Sequence, residues 1–361
     1  MDRLGFFKHG LSSLMEVAQS IVGLKHAADT FTEAVDEALS NIQTDIGLYL
    51  PSLDASMYED PQGTICDVAE MGYTLIEVGA YGAGKVHNLP AARVKELADG
   101  SGLKIVGAHI NKLYERPATE QQAPNDTEPQ NNMEGASQEP KPDPNVVWWQ
   151  KALDNVQAMG CRYVTSSRLP DYPTEEVVSE YIAYFNLIGE LAAERGVQFC
   201  YHPRKEELLR KVSKSGAGEH TKRAGESKSS AGEHTAREGE NTSSAGESES
   251  TKQESIFDRI VAGCDATKVV FEIDTREANE AGIDVVELLK TLGKRIELLH
   301  IHDYGTACES GKIDFEKIIA EGIRSGVKDI IVEVSSYSLP PKNCVERSMQ
   351  NVRKNLPSVR F

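Results

Sequence analysis

Residues 269–305 read VVFEIDTREANEAGIDVVELLKTLGKRIELLHIHDYG, and the way this stretch folds decides the architecture of the chain. VVFEID is a short run dominated by β-branched and aromatic side chains, the signature of a strand covered on both faces. DVVELLKTLG places apolar residues at helical spacing and stops at Gly293, as helix C-termini commonly do. ELLHIH then reads as a second strand. Alternating strand and helix of this kind imply a parallel sheet covered by helices.

The same alternation extends outward in both directions. Strand-like runs occur at DIGLYL (45–50), TLIEVG (74–79), LKIVGAHI (103–110), RYVTSS (162–167), VQFCYH (197–202) and DIIVEV (329–334), which makes eight with the two above. Between them lie amphipathic stretches, among them GTICDVAEMG, PAARVKELADG, NVVWWQKALDNVQAMG, VVSEYIAYFNLIGELAAERG and DFEKIIAEGIRSG. Eight β/α units close most naturally into a (β/α)8 TIM barrel, so the fold class read from the pattern is α/β, with the barrel over residues 44–361.

Three segments fall outside the pattern. Residues 1–43 begin MDRLGFFK, which looks like a degraded twin-arginine export signal; Leu11, Leu14, Met15, Val17, Ile21, Val22 and Leu24 fall largely on one helical face. Glu16, Lys25, Asp29 and Glu33 interrupt any apolar h-region, so an amphipathic helix is expected and export is the weaker alternative to a cytoplasmic chain. Residues 116–145 are rich in Pro, Gln, Asn and Glu, too polar to offset the entropy of ordering, and are expected to be a disordered insertion. Within residues 211–254 the dipeptide Gly-Glu recurs every seven residues, at Gly218, Gly225, Gly232, Gly239 and Gly246, but without the apolar seam of a coiled coil; disorder is expected there too. Without these segments about 240 residues remain, close to the roughly 250 of a β/α barrel. Both insertions follow strands and therefore leave the barrel on the face that carries active sites.

Composition narrows the function classes. The 361 residues are 39% hydrophobic, enough for a sizeable core, yet the mean hydropathy is -0.41, in keeping with the polar insertions. A formal net charge of -17 opposes encounter with nucleic acid or an anionic membrane, so neither is expected as a partner. That charge also argues against an abasic-site endonuclease, which shares the barrel architecture. A small sugar-like molecule suits the chain better, with homo-oligomerisation left open. The six cysteines are scattered, without a CxxC pair, and read as free thiols.

Four of the nine histidines, His109, His202, His300 and His302, stand at the carboxyl ends of strand runs, where the acids Glu77, Asp274, Asp303 and Glu333 also fall. Alternation along a strand sends His300 and His302 to the same side. Imidazoles and carboxylates converging from several strands suit one divalent ion such as Mn, Zn, Co or Mg, which can polarise a carbonyl.

The run VVFEIDTREANEAGID, then KRIELLHIHDYG, ESGKIDFEKIIAEG and KDIIVEV, together with IGLYLPSL, EDPQGTICDVAEMGYTLIEVGAYG and GLKIVGAHI, resembles the sugar phosphate isomerase/epimerase family, the xylose isomerase-like barrels. The resemblance spans residues 45–356 apart from the insertions. It implies one metal held by His202, Asp274, His300 and Glu333. It also implies isomerase or epimerase chemistry on a sugar, inositol or keto-sugar derivative, by proton transfer beside a polarised carbonyl. In that reading Glu333 takes the proton, with His202 or His109 serving the opposite face, and Glu77, Arg204 and His302 contact substrate. Relatives often carry YHNH on the fifth strand and HxKD on the seventh, where this chain has YHPR (201–204) and HIHD (300–303); Arg276 and Glu277 stand where an aromatic pair often follows the sixth-strand Asp. Those departures keep a second expectation alive, a sugar-binding barrel without catalysis. A lyase or dehydratase of the same family is a further variant.

Overall fold

In a computed structural model of the chain, which describes residues 45–116, 142–210 and 254–355, the eight apolar runs form eight parallel strands that close on themselves. In chain order they are β1 (Ile46–Tyr49), β2 (Leu75–Val78), β3 (Lys104–His109), β4 (Tyr163–Ser166), β5 (Gln198–Tyr201), β6 (Val269–Asp274), β7 (Ile296–His302) and β8 (Asp329–Glu333). Each pairs with its neighbours in sequence, and β8 closes on β1 through Ile46 opposite Ile330 and Leu48 opposite Val332. The fold is a (β/α)8 TIM barrel.

A helix follows every strand: α1 (Pro61–Glu70), α2 (Ala91–Gly100), α3 (Pro144–Ala158), α4 (Glu175–Ala193), α5 (Ile256–Gly263), α6 (Val285–Leu292), α7 (Phe315–Ser325) and α8 (Pro341–Asn355). Their apolar faces pack on the outward residues of the strands, such as Ile76, Val164, Phe199, Phe271, Leu299 and Ile330. Helices α5 and α8 were not among the expected ones. Helix α5 opens on a capping box in which Ser255 and Asp258 satisfy each other's backbone N–H groups. A small three-stranded antiparallel sheet between β2 and α2, made of residues 81–90, was also not foreseen.

Helix α3 starts at Pro144 on an Asp143 cap, so the expected insertion at 116–145 ends earlier: Pro144 and Asn145 are helical because Pro favours the first helical turn and the Asp143 carboxylate accepts from Asn145 N–H. The readings of residues 1–43, 117–141 and 211–253 lie outside the described residues. All six cysteines are free. Among the described residues no helix is long and apolar enough to cross a membrane.

Inside the barrel the lower layer is apolar: Leu75, Val106, Tyr163, Cys200, Val270, Leu298 and Ile331 form one cluster. Gly47 belongs to this layer for steric reasons, because a Cβ there would come within 2.4 Å of Ile331 Cδ1.

Candidate functional site

Side chains on a strand alternate between the two faces, so the residue two positions beyond each member of the apolar layer also points inward, one step nearer the C-terminal mouth. Counting two residues on from Leu75, Tyr163, Cys200, Val270, Leu298 and Ile331 gives Glu77, Thr165, His202, Glu272, His300 and Glu333. On β3 the register shifts opposite Ile76 and Glu77, which sets Gly107 beside Glu77 and brings His109 into this layer. Gly107 leaves room for the acid, since a Cβ there would lie 3.0 Å from Glu77 Oε1. Two residues further still stand Asp274 and His302. The change from apolar to an acid or histidine therefore happens in one step along five of the eight strands, and along β3 by the shifted register.

The ionisable side chains fall into two groups that share His300. In the inner group His300 Nε2 lies 2.8 Å from Glu77 Oε2 and 2.8 Å from Glu272 Oε1, while His109 Nε2 lies 3.1 Å from Glu272 Oε2 and 3.3 Å from Glu77 Oε1. Glu77 also accepts a longer contact of 3.4 Å from the Thr165 hydroxyl. The His300 N–H is given to Glu77, so Glu272 Oε1 sits beside it without a hydrogen bond of its own. All four side chains are buried. Burial alone would push the His109 imidazole down, but the charges of Glu77 and Glu272 overcome it and raise it to about 10. The same contest, won chiefly by Glu272, holds His300 well above its ordinary value. Burial would raise Glu272, yet His300 and His109 hold it well below the usual carboxylate range.

The outer group faces the mouth. His300 Nδ1 lies 2.8 Å from Glu333 Oε2, and His302 Nδ1 lies 2.7 Å from Asp274 Oδ2. The other Asp274 oxygen accepts from the backbone N–H groups of Arg276 and Glu277, both at 2.8 Å, and so caps the short helix Thr275–Glu280. His202 packs edge-on against His300, with ring centroids 5.2 Å apart, and its buried Nδ1 has no hydrogen-bond partner. Burial lowers the His202 pKa against the pull of Glu272, leaving a neutral ring at neutral pH. For Glu333 burial is outweighed by His300, then His302 and His202, and its carboxyl falls to about 2. A pocket of about 330 Å³ opens between the loops after β7 and β8, lined by Glu309 and by hydroxyl-bearing side chains including Thr306, Ser310, Ser336 and Ser338.

The residues the family resemblance implies as ligands, His202, Asp274, His300 and Glu333, come together: each offers an atom within 4.8 Å of the others. They fit a divalent cation. Two imidazoles and two carboxylates form a mixed donor set of the kind Zn, Mn or Co accepts, and the orphaned Nδ1 of His202 is a buried lone pair in want of a partner.

The other side chains singled out in the sequence each have partners in the structure. Glu77, expected to contact substrate, is fully buried against His300 and His109. His109, expected to move protons, is tied through Nε2 to the inner carboxylates. The Arg204 guanidinium donates to Glu207 at 2.7 Å, because a carboxylate three residues on lies within its reach at the start of the helix Lys205–Leu209. His302 has both ring nitrogens engaged, by Asp274 and by the Ser335 hydroxyl at 2.7 Å. Asp303 serves the following loop, accepting from the N–H groups of Tyr304, Glu309 and Ser310. Glu272 was missed, although the alternation applied to His300 and His302 would have found it, two residues before Asp274.

No family model matches the chain, and no curated protein matches it. Solved structures do. A sugar phosphate isomerase/epimerase from Parabacteroides distasonis ATCC 8503 superposes with a TM-score of 0.68 at 22% identity, covering 89% of this chain and 99% of that one. This chain shares its TIM-barrel fold with that structure. A D-allulose 3-epimerase from Methylomonas sp. shares that fold, with a TM-score of 0.56 at 12% identity over 87% of this chain and 98% of its own. So does an L-ribulose 3-epimerase, at 0.55 and 13%, over 87% and 97%.

Proposed function

We propose that the protein is a metal-dependent isomerase or epimerase of a sugar, inositol or keto-sugar derivative. The observation that carries this reading is the convergence of His202, Asp274, His300 and Glu333 at the mouth of a barrel whose fold is shared with sugar epimerases. These four would hold the ion. When bound, a divalent ion supplies Lewis-acid polarisation of a substrate carbonyl and stabilises negative charge developing on its oxygen.

The chain's own residues account for the proton. Glu333 is ionised at neutral pH, held so by His300, and is the side chain assigned to take a proton from the carbon beside the carbonyl. His202, neutral and with its Nδ1 unpartnered, offers a lone pair to the ion or to a proton. Asp274 is fixed by two backbone N–H groups and in turn fixes His302, so the outer group keeps its shape without the ion. The hydroxyl-lined pocket beyond Ser335 gives the remainder of a polyol a place to bind.

The test is proton exchange with solvent. Protein reconstituted with Mn²⁺ or Co²⁺ is incubated with a panel of ketoses in D₂O, and deuterium beside the carbonyl is read by NMR. Incorporation accompanied by an epimer or aldose, and lost in His202→Ala, is expected. Ketose binding without any exchange would leave a sugar-binding barrel without catalysis as the function.

A further inference from the structure

The inner group raises a question the outer group does not: why two carboxylates are buried beneath the candidate ion site, out of reach of substrate. Glu77 and Glu272 are crossed over two imidazoles. One oxygen of each lies against His300 Nε2 and the other against His109 Nε2, at 2.8 to 3.3 Å, and the two rings stack with centroids 5.6 Å apart. A carboxylate only accepts hydrogen bonds, so the nitrogens facing this pair carry hydrogens. Nδ1 faces Glu333 and the rest of the outer group at 2.8 Å, and by the same rule it carries the hydrogen that an ion bound there would replace.

We propose that Glu77 and Glu272 are positioning residues, which bracket the Nε2 edge of His300 from two sides and thereby hold its Nδ1 toward the outer group as a ligand. The inference rests on the metal reading above and deepens it. A single acid would hold the ring less firmly. With two, turning the ring over would set C–H against two buried carboxylates and strip both of a partner, which a buried charge does not tolerate. His109 completes the bracket by occupying the remaining oxygen of each acid. The position of Gly107 belongs to the same device, since a Cβ there would crowd Glu77 Oε1 at 3.0 Å.

The inner four side chains could themselves be taken for a second cation site, since their ligand atoms also lie within 4.8 Å of one another. Two ions would then share His300 through both nitrogens, which requires the ring to give up both hydrogens. An imidazole between buried carboxylates keeps one far more readily, and the acids act as hydrogen-bond acceptors behind a single site.

Cobalt(II) titration, followed by the visible absorption of the bound ion, tests this on the purified chain. The wild type is expected to bind one ion per chain. Glu77→Gln and Glu272→Gln keep shape and an acceptor oxygen but lose charge, and each should weaken cobalt binding about 10- to 100-fold, as loss of a ligand's hydrogen-bond partner commonly does. Glu77→Leu, which removes the acceptor, should weaken it further. Asp329→Asn, at the opposite end of the barrel, is the control for general destabilisation and should bind as the wild type does. Unchanged affinity and spectrum in both Gln variants would overturn the positioning role while leaving the metal reading intact. Two ions in the wild type and one in Glu272→Gln would overturn it in favour of an inner ion site. No ion in the wild type would overturn the metal reading itself, and the positioning role with it.

Discussion

The two ends of the barrel interior are both charged, but with different cations. At the N-terminal end Arg162 grips Asp329 through contacts of 2.6 and 2.5 Å, and Glu297 accepts from Tyr163 at 2.7 Å and pairs with Lys328 at 2.7 Å. Arg162 keeps its proton at any ordinary pH, and its side chain is 56% exposed, so water shares the work of solvating it. At the C-terminal end the partners of the acids are histidines, buried with them. A protonated histidine donates from two ring nitrogens, as a lysine donates from its ammonium, but it can give up a proton and leave a lone pair for an ion. One sheet thus separates an end paired through arginine and lysine from an end paired through histidine, the end at which β/α barrels generally carry their sites.

The sharpest way to break this comparison is to remove one charge partner from each end. His300→Ala leaves Glu77, Glu272 and Glu333 facing one another in buried space, and should cost about 3–5 kcal/mol of stability along with ion binding and any exchange activity. Asp329→Asn leaves Arg162 free to be hydrated, and should cost about 1 kcal/mol with ion binding unchanged. Urea unfolding of both variants, paired with cobalt binding, measures the contrast. Equal losses of stability would mean that the two ends are not different in kind.

A second contrast lies in pH. For the ion-free chain, His109 raised to about 10 stabilises the fold fully below its unfolded value near 6.5, and that contribution is lost as pH climbs through 10. Glu333, lowered to about 2, contributes fully above its unfolded value near 4.5 and loses this as pH falls through 2. Stability from these groups should therefore be greatest between about pH 4.5 and 6.5, and moving from pH 6 to 8.5 should cost on the order of 2 kcal/mol. Asp329→Asn should shift that curve downward without changing its shape above pH 6.5, because Arg162 does not titrate there. Urea midpoints across the range check this, and a wild-type curve flat to pH 9 would contradict the assigned protonation of the inner group.

The barrel was legible because a parallel strand covered on both faces must be an apolar run, and eight such runs at helix-length spacing leave few alternatives. What escaped notice was masked by polar neighbours. Helix α5 begins directly after the Gly-Glu tract, and only the Ser255–Asp258 capping box announces it. Helix α8 buries Cys344, Val345, Met349 and Val352 within an otherwise polar sequence. At the site, Asp274, His300 and Glu333 mark strand ends, where a sequence reading looks first. Glu272 lies inside a strand, in a run whose apolar neighbours make it look like an outlier; only the step of two from Val270 to Asp274 identifies it as inward.

The smallest expected effect concerns Arg204, a residue that sequence reasoning placed against substrate. Its N–H backbone donates to Glu207 at 2.6 Å and its guanidinium to the same carboxylate at 2.7 Å, a reciprocal closure of the first turn of the helix Lys205–Leu209. Both groups serve the loop after β5, whereas the ligand proposed from β5 is His202, two residues earlier, whose side chain is buried inside the barrel. Arg204→Ala should therefore change KM for an active ketose by less than about threefold and cost less than roughly 1 kcal/mol, the usual scale for a part-exposed pair three residues apart. Glu207→Gln should match it, because the two act as one unit. A tenfold rise in KM for Arg204→Ala alone would return the guanidinium to the substrate.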